Sequence, residues 1–230
     1  MSYLFIFTRL TLRAVFSSVY YYLTVAVMTA LFFMLVLKLG PLLADKAAAE
    51  LVAGQLVYTL LSTGMLLIFM CAQPVFVSEK QQNTILPLLY SPACAGEILA
   101  GKCLGLIIAA LLGSAAALLV PLAAYPVMLK ALLSLKIAAA LGIIFGIVLS
   151  YTLIIGMLLL CFQNIKVLYP VLFFLNYVPM ALLKYTKAYM EANGLGGANW
   201  THFLSLCFLL LVSAGIYRFY FSKHRIVASI

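Results

Sequence analysis

A run of small and charged residues near the middle of the chain almost spells a phosphate-binding loop. The stretch GEILAGKC matches the pattern G-x-x-x-x-G-K-[ST] at Gly96, Gly101 and Lys102. In such a loop the backbone amides and the lysine hold phosphates, and the hydroxyl of the final Ser or Thr binds magnesium. Here Cys103 takes the place of that hydroxyl, and the stretch leads into an apolar run. We therefore expect that the chain itself binds no ATP, is not an enzyme and holds no cofactor.

The composition limits the surroundings in which this chain is stable. Of the 230 residues, 67% are hydrophobic and only 8% are charged, with a mean hydropathy of +1.21. A soluble domain carries about 25% charged residues, so too few charges are present to cover a surface that faces water. The net charge is +9, but the basic residues are scattered between apolar runs, as membrane anchors are. The composition predicts an integral membrane protein that does not bind nucleic acid.

Six apolar runs are long enough to cross a bilayer, which takes about 20 residues in a helix. They lack the period-two alternation of barrel strands, so we predict an all-α fold with six transmembrane helices in a single domain, 1–230. The runs cover residues 15–39, 52–76, 103–125, 137–161, 167–184 and 202–221. Before the first run, Arg9 and Arg13 share one helical face, which predicts an interfacial helix on the membrane surface. A basic flank of the first span is the alternative.

The basic residues also suggest an orientation. Six spans place both termini on one side, and if that side is the cytoplasm the 14 basic residues divide into 8 inside and 6 outside. Because positive residues favour the inner side, we expect cytoplasmic termini in a bacterial cell membrane. The polar stretch from Ser78 to Lys102 then lies inside, and the glycine-rich stretch from Lys187 to Trp200 lies outside.

The inner polar stretch has the features of a short surface helix joined to a membrane helix. Ile85, Leu88 and Leu89 share one helical face, and Pro87 falls in the first turn, where proline is tolerated. Ser91–Pro92 interrupts this helix, because the residue before a proline is biased away from helical backbone. A second helix can begin near Ala93 and lead into the third run. We predict a short amphipathic helix that converts movement of a soluble partner into movement of membrane helices. An ordinary solvated loop is the alternative.

The stretch EKQQNTILPLLYSPACAGEILAGK resembles the segment between the second and third spans of type-2 ABC exporter permeases. That family shows a Glu-Lys/Arg pair, a Thr, a pair of aliphatic residues, Ser/Thr-Pro, and then Glu-x-x-x-Gly-Lys. The matching positions are Glu79, Lys80, Thr84, Leu88, Leu89, Ser91, Pro92, Glu97, Gly101 and Lys102. The chain departs from the pattern at Gln81, where the family often has Glu, at Asn83, where it often has Gly, and at Leu86–Pro87, which replaces a common acidic position.

The resemblance implies a permease subunit that exports a hydrophobic or amphipathic substrate. It also implies a separate cytoplasmic ABC ATPase subunit and a second permease subunit, which makes either a homodimer or a heterodimer in the lipid bilayer. The residues that would couple to the ATPase are Glu79, Lys80, Thr84, Ile85, Leu88, Leu89, Ser91, Pro92 and Glu97. In the fifth run, Asn176 and Pro179 mark either a broken helix along a substrate path or a kinked helix held by asparagine packing.

An ion-coupled secondary transporter and a membrane-embedded enzyme are the alternative functions. Both usually need charged or catalytic groups inside the membrane. All the acidic residues fall outside the six runs, which favours the permease; they are Asp45, Glu50, Glu79, Glu97 and Glu191. The cysteines form no C-x-x-C pair, so we expect no metal site.

Overall fold

The computed structural model of the chain describes residues 3–39, 60, 62–82, 85–124, 135–162, 170 and 198–228. Within these ranges every regular element is a helix, so the predicted all-α class is confirmed for them. The helices are α1 (Tyr3–Phe16), α2 (Val19–Leu39), α3 (Ser62–Gln81), α4 (Ile85–Tyr90), α5 (Ala95–Ala124), α6 (Leu135–Cys161), α7 (Ala198–Phe219) and α8 (Lys223–Ala228).

Three of these helices are long and apolar enough to cross a membrane. They are α2 over Val19–Lys38, α3 over Ser62–Gln81 and α5 over Ala95–Leu119. In α6 and α7 the described apolar stretches are shorter, Phe145–Cys161 and Phe203–Phe219. The described residues thus have the character of a membrane protein, whereas six spans remain a prediction. The fifth run, 167–184, lies outside the described residues except for position 170.

Several helices do not begin where their apolar runs begin, and α2 and α5 are two examples. The first run starts at residue 15, but α2 starts at Val19, because Ser17–Ser18 separates it from α1. The third apolar run starts at residue 103, but α5 starts at Ala95, close to Ala93, where the second helix leading into this run is predicted. The reason is a cap: the Glu97 carboxylate accepts a hydrogen bond from the backbone N–H of Cys94 at 2.9 Å, which satisfies a free amide at the helix start. Glu97 is therefore part of a long apolar helix.

Helix α5 is the centre of the packing. It contacts α1, α2 and α6, and α6 in turn contacts α7. The Tyr21 hydroxyl of α2 donates to the carbonyl of Ala109 in α5 at 3.0 Å, which joins these two helices through a buried hydrogen bond. The short helix α8 contacts α4 and α6, so the C-terminal part of the chain returns to the region where α4 lies.

Helix α1 packs on α5 through two glycines with G-x-x-x-G spacing. A β-carbon at Gly101 would lie 2.6 Å from the β-carbon of Phe7, and one at Gly105 would lie 2.6 Å from that of Thr11. The Thr8 hydroxyl lies 3.2 Å from the Gly101 carbonyl and donates to it. Small residues permit this close approach of two helices. The predicted N-terminal helix is present, and its location on the membrane surface remains a prediction.

We expect the double substitution Gly101→Ala and Gly105→Ala to lower the thermal unfolding midpoint in detergent, because both new methyl groups overlap α1. Overpacking of this kind costs about 1–3 kcal/mol, more than the helix propensity that alanine adds. Gly142→Ala and Gly215→Ala are matched controls, since a β-carbon at either position meets no atom of the described residues within 4 Å. A double variant that melts with the controls would contradict this packing.

Candidate functional site

Helix α3 contains a π-helical segment, Gln73–Val77, just before its charged end. The segment includes Pro74, which has no backbone N–H and crowds the preceding turn. The backbone N–H of Ser78 bonds to the Gln73 carbonyl, the wider pattern of a π-helix. The Ser78 hydroxyl also donates to the Pro74 carbonyl at 2.5 Å. The extra residue in this turn rotates the charged residues that follow around the helix axis.

An ion pair joins the end of α3 to α5. The Lys102 ammonium donates to the Glu79 carboxylate and to the Val75 carbonyl, the latter at 3.0 Å. The Phe76 ring centroid lies 5.4 Å from the same nitrogen, within the range of a cation–π contact. The Lys102 side chain is 2% exposed and that of Glu79 is 26% exposed. The ammonium therefore depends on groups of the protein, whereas the carboxylate also reaches the surface.

Lys80 joins the end of α3 to the end of α6. Its buried ammonium donates to the carbonyls of Phe162 at 2.5 Å and Leu160 at 3.3 Å, with a longer contact to Leu159 at 3.5 Å. The C-terminal turn of a helix leaves carbonyls without partners inside the helix and carries partial negative charge. A cation at this end satisfies those carbonyls, so Lys80 acts as a cap for α6.

Two neighbouring side chains thus attach one helix end to two other helices. Successive residues of an α-helix point about 100° apart, which lets Glu79 reach α5 while Lys80 reaches α6. We call Glu79, Lys80 and Lys102 the charged junction. Because α4 begins at Ile85, soon after the end of α3, this short helix is held close to the junction.

The predicted short helix is present as α4, and its predicted break is also present. The chain bends over residues 91–93, where the Ser91 hydroxyl donates to the Leu88 carbonyl at 2.6 Å. The apolar face of α4 is turned inward, because Ile85 and Leu89 are buried and Leu88 is partly buried against the core. The adjacent helix α8 contributes the buried Ile226.

The face of α4 predicted to anchor an ATPase is therefore filled by the chain's own core. Helical periodicity indicated which residues share a face, but not which partner covers it. Among the described side chains of residues 85–94, the exposed ones are Pro87, Tyr90, Pro92 and Cys94, and Tyr90 is 80% exposed. A protein that docks on α4 would meet this surface, with Glu79 partly accessible beside it.

A cavity of about 530 Å³ lies beside the start of α5, between α1, α6 and α7. Its wall is mostly apolar, with polar groups from Glu97, Ser213 and Tyr217. A wall of this kind suits a molecule with one polar end and one apolar end. Among the described residues, no three His, Cys, Asp or Glu side chains come together in a way that could hold a metal ion.

The near-match to a phosphate-binding loop has the wrong backbone for that role. Residues 96–103 form the first turns of α5 and not a loop. Gly101 packs against Phe7, and the Lys102 ammonium is occupied by Glu79 and Val75. In this stretch Gly101 makes a close helix contact and Lys102 makes an ion pair.

The other predicted residues are placed as follows. Glu97 caps α5 and lines the larger cavity. Its carboxylate is therefore bonded to the backbone of its own helix start. Thr84, Asn176 and Pro179 lie outside the described residues. The sequence places Glu79 and Glu97 outside the apolar runs, but the candidate spans Ser62–Gln81 and Ala95–Leu119 include them, Glu79 in the last turn and Glu97 in the first. In the sequence, Glu79 lies just after the second apolar run and Lys102 just before the third. These positions were the signal from which the Glu79–Lys102 ion pair could have been predicted.

Comparisons of the chain with known protein families, with curated proteins and with solved structures find no match. No relative therefore supplies a function. What the chain does has to be inferred from the charged junction, the exposed side of α4 and the cavities between the helices.

We expect removal of Glu79 and removal of Lys102 to lower the free energy of unfolding by different amounts. Glu79→Leu leaves the ammonium of Lys102 buried with fewer partners and should cost roughly 3 kcal/mol of unfolding free energy. Lys102→Met should cost less, because the remaining carboxylate reaches the surface. Unfolding in detergent, followed by circular dichroism, measures both.

The double variant Glu79→Leu with Lys102→Met is the matched control for the ion pair. It leaves no unpaired charge and should recover most of the stability lost in Glu79→Leu. Additive losses in the double variant would show that the two side chains do not depend on each other.

Proposed function

We propose that the chain is the membrane-spanning permease subunit of an ABC exporter and is driven by a separate ATPase subunit. A second permease subunit, identical or different, completes the transporter, and the cargo is hydrophobic or amphipathic. The observation that carries the proposal is the charged junction. It attaches the end of α3, just before α4, to both α5 and α6. This arrangement is what a coupling segment needs, because a push on α4 then moves several helices together.

The resemblance in sequence and the geometry support the proposal in different ways. The resemblance lies in the residues from Glu79 to Lys102, and it names the class of partner. The geometry gives those residues a mechanical role: Glu79 and Lys102 join α3 to α5, and Lys80 joins α3 to α6. Helix α1 is packed on α5, so it moves with α5 in this mechanism.

In the proposed cycle, ATP binding draws the ATPase subunits together and displaces α4. The buried face of α4 transmits the displacement directly to the core, and the exposed Tyr90 and Pro92 make the contact with the ATPase. The junction passes the movement to α5 and α6, which both line the larger cavity. A change in the separation of these helices would open or close that cavity to an amphipathic cargo.

An ion-coupled secondary transporter is the second candidate, and one observation favours it. A buried ion pair at the end of a candidate span is the kind of group that such transporters use, and Lys102 with Glu79 is one. The two candidates differ in their energy source. Transport by the permease needs ATP, whereas transport by the second candidate follows an imposed ion gradient without nucleotide.

We expect the charged junction to lie on the cytoplasmic side of the membrane. In a chain with its native cysteines replaced by alanine, Gln82→Cys should resist a membrane-impermeant maleimide in intact cells and react in inverted vesicles. Lys38→Cys lies at the C-terminal end of the candidate span in α2, which the predicted topology places outside. It should react in intact cells and resist the maleimide in inverted vesicles. Both replaced side chains are exposed, so burial does not explain a difference. Labelling of Gln82→Cys from outside would overturn the proposed orientation.

We expect Tyr90→Asp to weaken the association with the ATPase, because it places a charge on the exposed side of α4. Loss of a packed aromatic anchor costs about 2 kcal/mol, or about 30-fold in affinity. The measurements are copurification of the ATPase from native membranes, identified by its nucleotide-binding sequence, and ATP-driven dye uptake into inverted vesicles. Tyr90→Phe is the conservative control and should retain both.

Lys80→Met tests the junction separately from the docking surface. It should leave ATPase association intact and reduce transport, because α6 loses its attachment to α3. Lys38→Met is the matched control, since Lys38 is exposed at the end of α2. Full transport by Lys80→Met and full association by Tyr90→Asp would together remove the support for the permease. Uptake driven by a pH gradient without ATP would favour the second candidate.

A further inference from the structure

A second cavity lies between α3, α5 and α6, separate from the charged junction. Its volume is about 140 Å³, and among the described residues that line it the Ser114 hydroxyl is the one polar side-chain group. Ser114 lies in α5 well beyond Lys102, and at a rise of about 1.5 Å per residue the two positions are about 18 Å apart along the helix. The cavity therefore belongs to a different level of the helix bundle.

The Ser114 hydroxyl is buried without a hydrogen-bond partner. The residue is 3% exposed, and its Oγ is the buried side-chain polar atom that lacks a partner in the part of the chain that the structure describes. Hydroxyl groups in apolar helices usually donate to the carbonyl one turn back, as Thr152 does to Val148 at 2.6 Å and Ser150 to Gly146 at 2.9 Å in α6. An unpaired buried hydroxyl is costly, so this one points to a missing partner.

Gly64 of α3 keeps the space in front of that hydroxyl open. A β-carbon there would lie 3.8 Å from the Ser114 Oγ and 3.9 Å from a methyl group of Val148, which are ordinary contact distances. Unlike Gly101 and Gly105, Gly64 is therefore not needed for close approach of a neighbouring helix. A glycine inside a helix lowers the stability of the helix. At position 64 it leaves open the space in front of the Ser114 hydroxyl.

We propose that this cavity binds a small, neutral, mostly apolar molecule with a single hydrogen-bonding group, about the size of phenol. The polar atom would pair with the Ser114 hydroxyl, and the apolar part would lie against Phe145 and Val148. An apolar cavity of about 150 Å³ accommodates benzene, so the size fits. The described lining residues carry no charge, which favours a neutral molecule over an ion. This inference does not depend on the proposed transport function.

The bilayer is the route by which such a molecule arrives. Phe145 and Leu111 line the cavity and are exposed at the surface of their helices. Both belong to apolar helices, and Leu111 lies within the candidate span of α5. A neutral amphiphile dissolved in the lipid therefore reaches the cavity from the side, without crossing the charged junction.

Binding of 4-fluorophenol and fluorobenzene to the purified chain in detergent tests the proposal by fluorine NMR. Both probes should bind saturably, with 4-fluorophenol about five-fold tighter because it pairs with Ser114. Ser114→Ala keeps the cavity and should bind both probes with equal affinity. Absence of saturable binding, or a preference for 4-fluorophenol that survives in Ser114→Ala, would overturn the site.

Variants of Gly64 distinguish binding of the probes in the cavity from partitioning of the probes into the detergent. Gly64→Val should abolish saturable binding of both probes. Gly64→Ala, which meets only ordinary contacts, should weaken it and serves if the valine variant does not fold. Gly215→Ala meets no atom within 4 Å and should bind as the parent chain does. Unchanged binding by both Gly64 variants would place the probes elsewhere and refute the proposal.

The unliganded protein offers an independent readout. Ser114→Ala removes an unpaired polar group and should melt at the same temperature as the parent chain or higher. A lower melting temperature would mean that the hydroxyl already has a partner in the protein, which contradicts the proposal.

Discussion

A lysine ammonium buried among apolar helices has to find its partners within the same chain. Removing an ion from water costs several kcal/mol even in a relaxed protein interior, and Lys102 lies in the core. The π-helical turn of α3 supplies the Val75 carbonyl and the Phe76 ring, and the next turn supplies the Glu79 carboxylate. The end of α3 is held on α5 by this requirement, and α4 begins soon afterwards, at Ile85.

The rest of the core is built around the same helix by small residues and by hydroxyl groups that reach backbone carbonyls. Gly101 and Gly105 admit α1, and the Tyr21 hydroxyl secures α2. Between apolar helices in lipid the hydrophobic effect gives little preference for one packing over another, so close contact and hydrogen bonds select the arrangement. Side chains that bond outside their own helix therefore carry more of the specificity than the leucines around them.

The two cavities and α4 differ in what they offer to other molecules. The cavity beside Glu97 combines an apolar wall with a carboxylate and hydroxyls, whereas the cavity at Ser114 offers a single hydroxyl. Helix α4 offers an exposed aromatic on one side and is packed into the core on the other. A contact on the exposed side is therefore transmitted through a packed face, and interiors packed at high density transmit displacement well. This is the physical basis of the proposal that α4 is a coupling element.

Local properties of the sequence were enough to predict the all-α class, the membrane character of the chain and the short helix that ends at Ser91–Pro92. These depend on apolar content and on backbone preferences that each residue carries with it. Hydropathy alone does not give the helix starts: Ser17–Ser18 delays the start of α2 to Val19. The capping Glu97 and the buried Lys102 extend α5 into a stretch that reads as polar.

Only the tertiary structure decided which groups meet. Glu79 and Lys102 are 23 residues apart, and Lys80 lies 82 residues from the Phe162 carbonyl that it caps. No local preference encodes such pairings, since they depend on how α3, α5 and α6 pack together. The same reason explains Ile85 and Leu89: periodicity placed them on one face, and the packing of the whole chain turned that face inward.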